Sequence, residues 1–422
     1  VVIIGAGPSG LSVGRSLAER GVPAVILERA SAVGPAWRNH YERLHLHTVK
    51  KHSTLPYHAW PDHVPLYPSR AEVVDYLESY AKRIEPMIRL DQNVTSARHE
   101  GGKWVVRTQS AELHTANLIV ATGYNRRPNK PTWTGQETFR GSILHSSEYR
   151  TGKTWKGKRA LVVGIGNSGG EIAIDLWEQG ALETAIAVRS PLHILPRDLF
   201  GTPAQVTAIL TSRLPTALVD RITLALLDRL QGDLSKWGLR RPAEGPMTSL
   251  AKYGRVPLLD IGTVELIQQG HIDVVPGIER FTEERVVFSD GRERAFDVVV
   301  LATGYQAALN EFLDDAARHV TDRGYPKRFG QEAETPGLFF IGYRNPGIGQ
   351  LNDISKKRCG SPPRSPRSPM AELDHWHPVI QSEALRHKPV GVRLSGQDIV
   401  LYRGENGRAA ALGDRCPHRG LP

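Results

Sequence analysis

Cysteine is nearly missing from this sequence: 422 residues contain two, Cys359 and Cys416. That scarcity excludes a disulfide scaffold and fits a reducing cytoplasm. With nothing before Cys359, it also excludes the redox-active cysteine pair that dithiol chemistry requires. Long apolar runs are lacking as well, so no segment has the length of a membrane span, and no stable membrane insertion is expected. The chain opens directly on a strand-like run, Val1 to Ile4, with neither an initiator Met nor a charged leader. No signal peptide is expected, and the natural first residues are expected to be absent. Acid is in deficit, with 44 Asp and Glu against 54 Lys and Arg, a formal charge of +10. Half of the excess sits in Lys356, Lys357, Arg358, Arg364 and Arg367, a short stretch without acid. The rest is spread thinly, as on a surface that meets small anions, so no nucleic-acid partner is expected.

What the sequence does have is a recurrence of short apolar, β-rich runs with helical stretches between them. Val1–Ile4, Ala24–Leu27, Leu118–Ala121, Ala160–Val163, Ala185–Val188, Val298–Ala302 and Leu338–Ile341 read as buried parallel strands. Ser69 and Glu72 have the spacing of a capping box, opening a helix with apolar positions Val73, Leu77, Tyr80 and Ile84. The stretch 203–230 is apolar on a helical period. It is read as a helix packed on the second domain or lining a substrate entrance, in preference to one touching a membrane surface. Residues 356–369, rich in Pro, Ser and Arg, read as an extended linker.

Two glycine motifs carry the chemistry. Gly5, Gly7, Pro8, Ser9 and Gly10 follow one strand and open a helix, and the next strand ends at Glu28-Arg29. The first glycine makes the tight turn, the second admits a pyrophosphate, and the third lets helix and strand pack closely. The pyrophosphate then sits on the helix N-terminus, and Glu28 stands where an acid accepts hydrogen bonds from a ribose. FAD is expected here. Gly164, Gly166, Asn167, Ser168 and Gly169 repeat the pattern, but the following strand ends in Arg189-Ser190 without a carboxylate. A guanidinium pairs with a 2′-phosphate that a carboxylate would repel, so NADPH is expected rather than NADH. Matching Ala-Thr-Gly-Tyr segments, 121–124 and 302–305, read as crossings between the two domains, with Thr303 and Gly304 as further cofactor contacts.

Phe139–Tyr149 (FRGSILHSSEY), just before the second glycine motif, matches the FxGxxxHxxx(Y/F) signature of class B flavin-containing monooxygenases. Residues 1–355 resemble that family, and within it most the plant indole-3-pyruvate monooxygenases (YUCCA type) and their microbial relatives. Trp37-Arg38, Arg43-Leu44, Leu46-His47, Leu77–Ala81, Val188–Ser190, His193–Arg197 and Pro257–Thr263 carry the likeness. The resemblance implies that FAD is reduced by NADPH and takes up O₂ as a C4a-(hydro)peroxide that oxygenates a small organic substrate. It also implies cofactor contacts at Trp37 and Arg38. Many members place an Asn near the flavin to hold the adduct. His47-Thr48-Val49-Lys50 offers none here, so N/S-oxygenation and carbonyl-type oxidation both stay open. The histidines around that stretch (His40, His45, His47, His52, His58, His63) fit no common metal-ligand spacing.

From Met370 onward the chain resembles the start of a Rieske domain, through Trp376, Pro378-Val379, Val400–Tyr402 and Cys416–Gly420. A Rieske [2Fe-2S] centre needs two Cys and two His. Cys416 and His418 are half of that set, so a cluster requires the missing pair from elsewhere. The expected architecture is α/β, with two dinucleotide-binding (Rossmann-like) domains, one inserted in the other, and an incomplete β-rich Rieske-like tail. The expected boundaries are 1–155 and 298–355 for the FAD domain, 156–297 for the NADPH domain, and 370–422 for the tail. The alternative reading is an NAD(P)H-dependent flavoprotein reductase delivering electrons to a Rieske-type oxygenase.

Overall fold

The structure, a computed structural model, describes residues 1–254, 256–344, 346–356, 390–394, 397–403 and 409–413. The chain divides into two compact units, Val1–Gly360 and Ser361–Pro422.

The first unit is built on two five-stranded parallel sheets of the same design. In the first sheet, Val2–Ile4 lies between Val25–Leu27 and Leu118–Val120, with Ile88–Arg89 and Leu338–Phe340 at the edges. In the second, Arg159–Val163 lies between Glu183–Ala187 and Val298–Leu301, with Asp273–Val275 and Ser142–His145 at the edges. In both, the chain runs from the central strand to one edge and then crosses to the other side. Such a reversal of strand order opens a crevice at the carboxyl ends of the strands, where α/β proteins bind ligands. The central strands are short and β-branched, and Val2, Ile3, Ile4 and Ala160–Val162 are buried, as a sheet covered on both faces requires.

Each sheet also receives a three-stranded antiparallel meander before its crossing strand. These are Val94–Glu100, Lys103–Thr108 and Glu112–Thr115 in the first half, and Ile278–Phe281, Arg285–Phe288 and Glu293–Ala295 in the second. The expected strands are all present, most of them trimmed by a residue or two. Their sheet membership differs from the expected boundaries, because Ser142–His145 and Val298–Leu301 both pair in the second sheet. An apolar run specifies a buried strand but not which neighbour it pairs with.

The capping box forms: the Ser69 side chain accepts from the Glu72 N–H while Glu72 accepts from the Ser69 N–H, and the helix Arg70–Ala81 buries Val73, Leu77 and Tyr80. The stretch 203–230 is two helices, Ala204–Thr211 and Thr216–Gln231, separated at Pro215, where a ring without an N–H cannot continue the first. In the second unit, Val390–Leu394, Gln397–Arg403 and Ala409–Gly413 form an antiparallel sheet. The linker beyond Lys356, which contains Cys359, lies outside the described residues, as do Cys416 and His418 in the tail.

Candidate functional site

The first glycine loop is built as its spacing requires. Gly5 has φ 103°, and a Cβ there would stand 2.8 Å from the Ala121 carbonyl oxygen. A Cβ on Gly10 would stand 1.8 Å from the Gly5 carbonyl, so strand and helix touch through it. Around Gly7 a Cβ would meet nothing within 4 Å. That open side faces a cavity of about 560 Å³, whose wall includes Gly5, Gly7, Pro8, Ser9, Glu28 and Arg29. No side chain caps the helix Pro8–Ala18, so its first N–H groups are left for an anion. Glu28 is buried, and its carboxylate accepts the Ala6 N–H at 2.7 Å and the Ala30 N–H at 3.0 Å. Those bonds aim the group and leave lone pairs for a ribose on the cavity side.

Trp37 lines the same cavity. Arg38 is not on its wall: the guanidinium donates to the Val33 carbonyl at 2.9 Å and pairs with Glu78, bracing the short helix Pro35–Arg38 that carries Trp37. The wall also includes Thr122, Gly123 and Tyr124, the first of the two matched segments, together with Gly342 and Gln350. Sequence reasoning singled out the second segment instead. There the Thr303 hydroxyl donates to the Asn129 carbonyl at 2.5 Å and the Gly304 carbonyl is taken by His145, while Tyr305 reaches the cavity.

The second loop reproduces the first. Gly164 has φ 101° with its absent Cβ 2.8 Å from the Ala302 carbonyl; that of Gly169 falls 1.9 Å from the Gly164 carbonyl, and Gly166 is open. Asn167 accepts the Leu259 N–H at 2.7 Å, and Ser168 hydrogen-bonds the buried Tyr41 phenol, whose pKa burial holds well up. Arg189 and Ser190 follow the next strand and are exposed.

The signature segment ties these parts together. His145 is buried; its Nδ1 accepts the Ser147 N–H at 3.1 Å, which assigns the proton to Nε2, the donor to the Gly304 carbonyl at 3.0 Å. Burial lowers its pKa, so the ring is neutral. Tyr149 donates to Asp175 at 2.7 Å, and the same carboxylate oxygen takes the Gly152 N–H at 2.7 Å. The outer strand is thereby fastened to the helix of the second glycine loop. Ser147 and Arg150 continue onto the wall of the first cavity, which His40 also lines. Burial, with Arg150 and Arg70 adding to it, lowers the His40 pKa to about 4.

A contact that sequence reasoning missed joins the two halves beside Thr48. Gln205, buried on the helix Ala204–Thr211, accepts the Val49 N–H at 2.8 Å and donates to the Ile348 carbonyl at 2.6 Å. Nearby, His47 bonds the buried Glu171, and with Arg43, His45 and Arg197 they line a second cavity of about 250 Å³. Among the described residues, no group of three or more His, Cys, Asp or Glu is placed to hold a metal ion.

Two glycine loops of one geometry, joined by the signature segment, define the class of two-dinucleotide oxidoreductases. The family model described as "Flavin-binding monooxygenase-like" matches residues 1–354, and the chain belongs to that family: it is a flavin-dependent monooxygenase. It is 41% identical over 354 residues to the indole-3-pyruvate monooxygenase YUCCA1 of Oryza sativa subsp. japonica, covering 82% of this chain and 87% of the relative. It is 39% identical to the probable indole-3-pyruvate monooxygenase YUCCA9 of Arabidopsis thaliana, over 82% of this chain and 85% of that one. The fold is shared with a flavin-containing monooxygenase from Stenotrophomonas maltophilia, at a TM-score of 0.62, 24% identity, and coverage of 85% of this chain and 96% of that one. It is shared too with a steroid monooxygenase bound to NADP, at a TM-score of 0.69, 19% identity, and coverage of 85% and 83%. A Rieske [2Fe-2S] domain model matches residues 375–422.

Proposed function

We propose that the chain binds FAD in the first cavity and NADPH at the second glycine loop, and inserts one atom of O₂ into a small organic substrate. The observation that carries this reading is the repeated loop geometry, with an open Gly7 and an open Gly166 at two uncapped helix N-termini. Gly5, Gly7, Pro8, Ser9 and Gly10 cradle the FAD pyrophosphate, and Glu28 holds its ribose. Arg29 and Trp37 complete the wall, with Arg38 acting through Trp37. Gly164, Gly166, Asn167, Ser168 and Gly169 take the NADPH pyrophosphate, and Arg189 and Ser190 its 2′-phosphate. Thr303 and Gly304 hold the crossing between the halves. When bound, the flavin supplies the redox chemistry that passes electrons from NADPH to dioxygen. The protein's own part is to orient the two cofactors, to keep His40 and His145 neutral beside them, and to exclude water behind the Gln205 contact.

The FAD part is drawn from 1–141 and 302–356, and the NADPH part from 142–301. The proposed compartment is the cytoplasm, from the two cysteines. An aryl 2-oxo acid is the first substrate to try, since the relatives are named for indole-3-pyruvate. Cys416 and His418 are half of a Rieske ligand set, and a [2Fe-2S] cluster would need its second Cys and His from elsewhere.

The test is NADPH-dependent oxygen uptake by FAD-loaded protein with indole-3-pyruvate and with amine and thioether substrates, using ¹⁸O₂. Label appearing in an organic product establishes the monooxygenase. Rapid NADPH-driven reduction of an added ferredoxin, with no label incorporated, would move the chain to the reductase class.

A further inference from the structure

Between Phe200 and Ile222 the fold leaves five large apolar side chains in water. Phe200 is 80% exposed and Leu210 73%, and Leu214, Leu218 and Ile222 are exposed too. The helix Thr216–Gln231 buries Asp220 and Leu227 on its inner face, and helical spacing puts Leu218 and Ile222 on the opposite side. Only one acid lies between Asp198 and Asp228, and it is turned inward: the Asp220 carboxylate accepts the Met247 and Thr248 N–H groups at 2.8 and 3.0 Å and the Thr248 hydroxyl at 2.5 Å. The outward surface of the stretch therefore carries exposed apolar groups and the exposed Arg213 and Arg221, with no exposed acid between them.

Phe200 adds an independent observation. With Gly201 it forms the tip of the hairpin Asp198–Leu199/Thr202–Pro203, and both tip residues have positive φ, 48° and 74°. Such two-residue turns favour Asn or Gly. An aromatic side chain held in the left-handed region, and pointing into solvent, is strained without any packing to offset it.

We infer that residues 200–222 are a peripheral membrane-binding face that seats in the headgroup region of an anionic bilayer. The aromatic and leucine side chains enter the interface, and Arg213 and Arg221 meet lipid phosphates. A symmetric contact through this same stretch would offer these arginines no exposed acid, whereas an anionic bilayer complements them. The contact is a surface one, because no helix among the described residues is long and apolar enough to cross a membrane.

The test is cosedimentation of the full chain with vesicles of phosphatidylcholine alone and of phosphatidylcholine with phosphatidylglycerol. Binding to the anionic vesicles is expected, weakening as salt rises. Leu214→Glu with Ile222→Glu, and separately Arg213→Glu with Arg221→Glu, should each bind roughly tenfold less. Phe200→Gly relieves the strained turn, so it should melt no lower than the parent and yet bind less, which separates lost docking from lost folding. A parent chain that stays in the supernatant with anionic vesicles overturns the inference, as do variants that bind as well as the parent. Light scattering that shows a dimer, made monomeric by Leu214→Glu with Ile222→Glu while vesicles are ignored, would assign the face to a second copy instead.

Discussion

At the scale of single residues, the site depends on groups whose environment, not their identity, sets their task. His40 shows this in its titration. Its unfolded imidazole takes up a proton near 6.5 and its folded one only near about 4, so between those values the unfolded state binds more protons. Stability therefore falls as the pH drops through that window, by up to about 3 kcal/mol at its acid end, and is unaffected above it. His40→Gln should flatten this part of the profile, measured as urea midpoints at a series of pH values. Gln205 acts by connection. Gln205→Leu keeps the volume but strands the buried Val49 N–H, at a cost of about 1–3 kcal/mol, and releases the half-buried Ile348 carbonyl at a smaller one. The melting temperature should fall, and a larger share of the NADPH consumed should appear as H₂O₂. The glycines and Glu28 were legible in the sequence because each meets a steric or charge demand fixed by spacing. Gln205 was not, because its partners lie 156 and 143 residues away in the chain and no local pattern signals such a contact.

At the scale of elements, the signature segment is the instructive case. Its likeness to the family was visible residue by residue, yet its physical work is that of a fastener. His145 bonds the crossing strand's end, and Tyr149 bonds the helix of the second glycine loop through Asp175. Tyr149→Phe should take one of that buried carboxylate oxygen's two partners among the described residues and leave the Gly152 N–H, costing about 1–3 kcal/mol. Thermal melts should register this first. NADPH affinity should fall with it while flavin content stays at the parent level, because the loosened helix carries the second loop and not the first. Apolar runs and the Ser69–Glu72 spacing announced strands and a helix correctly, since burial and capping are local matters. The two meanders went unread because half-buried antiparallel strands alternate weakly here. The expected boundaries put 142–145 and 298–301 with the first domain, whereas both segments pair in the second sheet, because pairing is settled by the whole layer.

At the scale of the first unit, the chain uses one sheet architecture twice, and the two copies place opposite charges at the end of their second strand. The first ends in Glu28, buried and aimed by two backbone N–H groups; the second ends in Arg189, exposed and with no ion-pair partner among the described residues. If each copy holds its own cofactor, damage to one should leave the other intact. Arg189→Ala removes a charge-assisted, bidentate partner for a 2′-phosphate, an interaction of about 1.5–3 kcal/mol, so KM for NADPH should rise roughly 10- to 100-fold. KM for NADH, which has no such phosphate, should stay put, and the flavin content of the purified protein should equal the parent's. Gly7→Val should do the reverse. Its side chain meets no protein atom near Cβ, so the fold tolerates it, but it projects toward the space assigned to the pyrophosphate, so flavin content should collapse while NADPH still protects the second loop from proteolysis. Steady-state kinetics with both nucleotides, together with flavin absorbance for each variant, decide the matter. Equal losses of both cofactors in either variant would mean that the halves fold or bind as one unit. The division of labour between Glu28 and Arg189 would then need another cause.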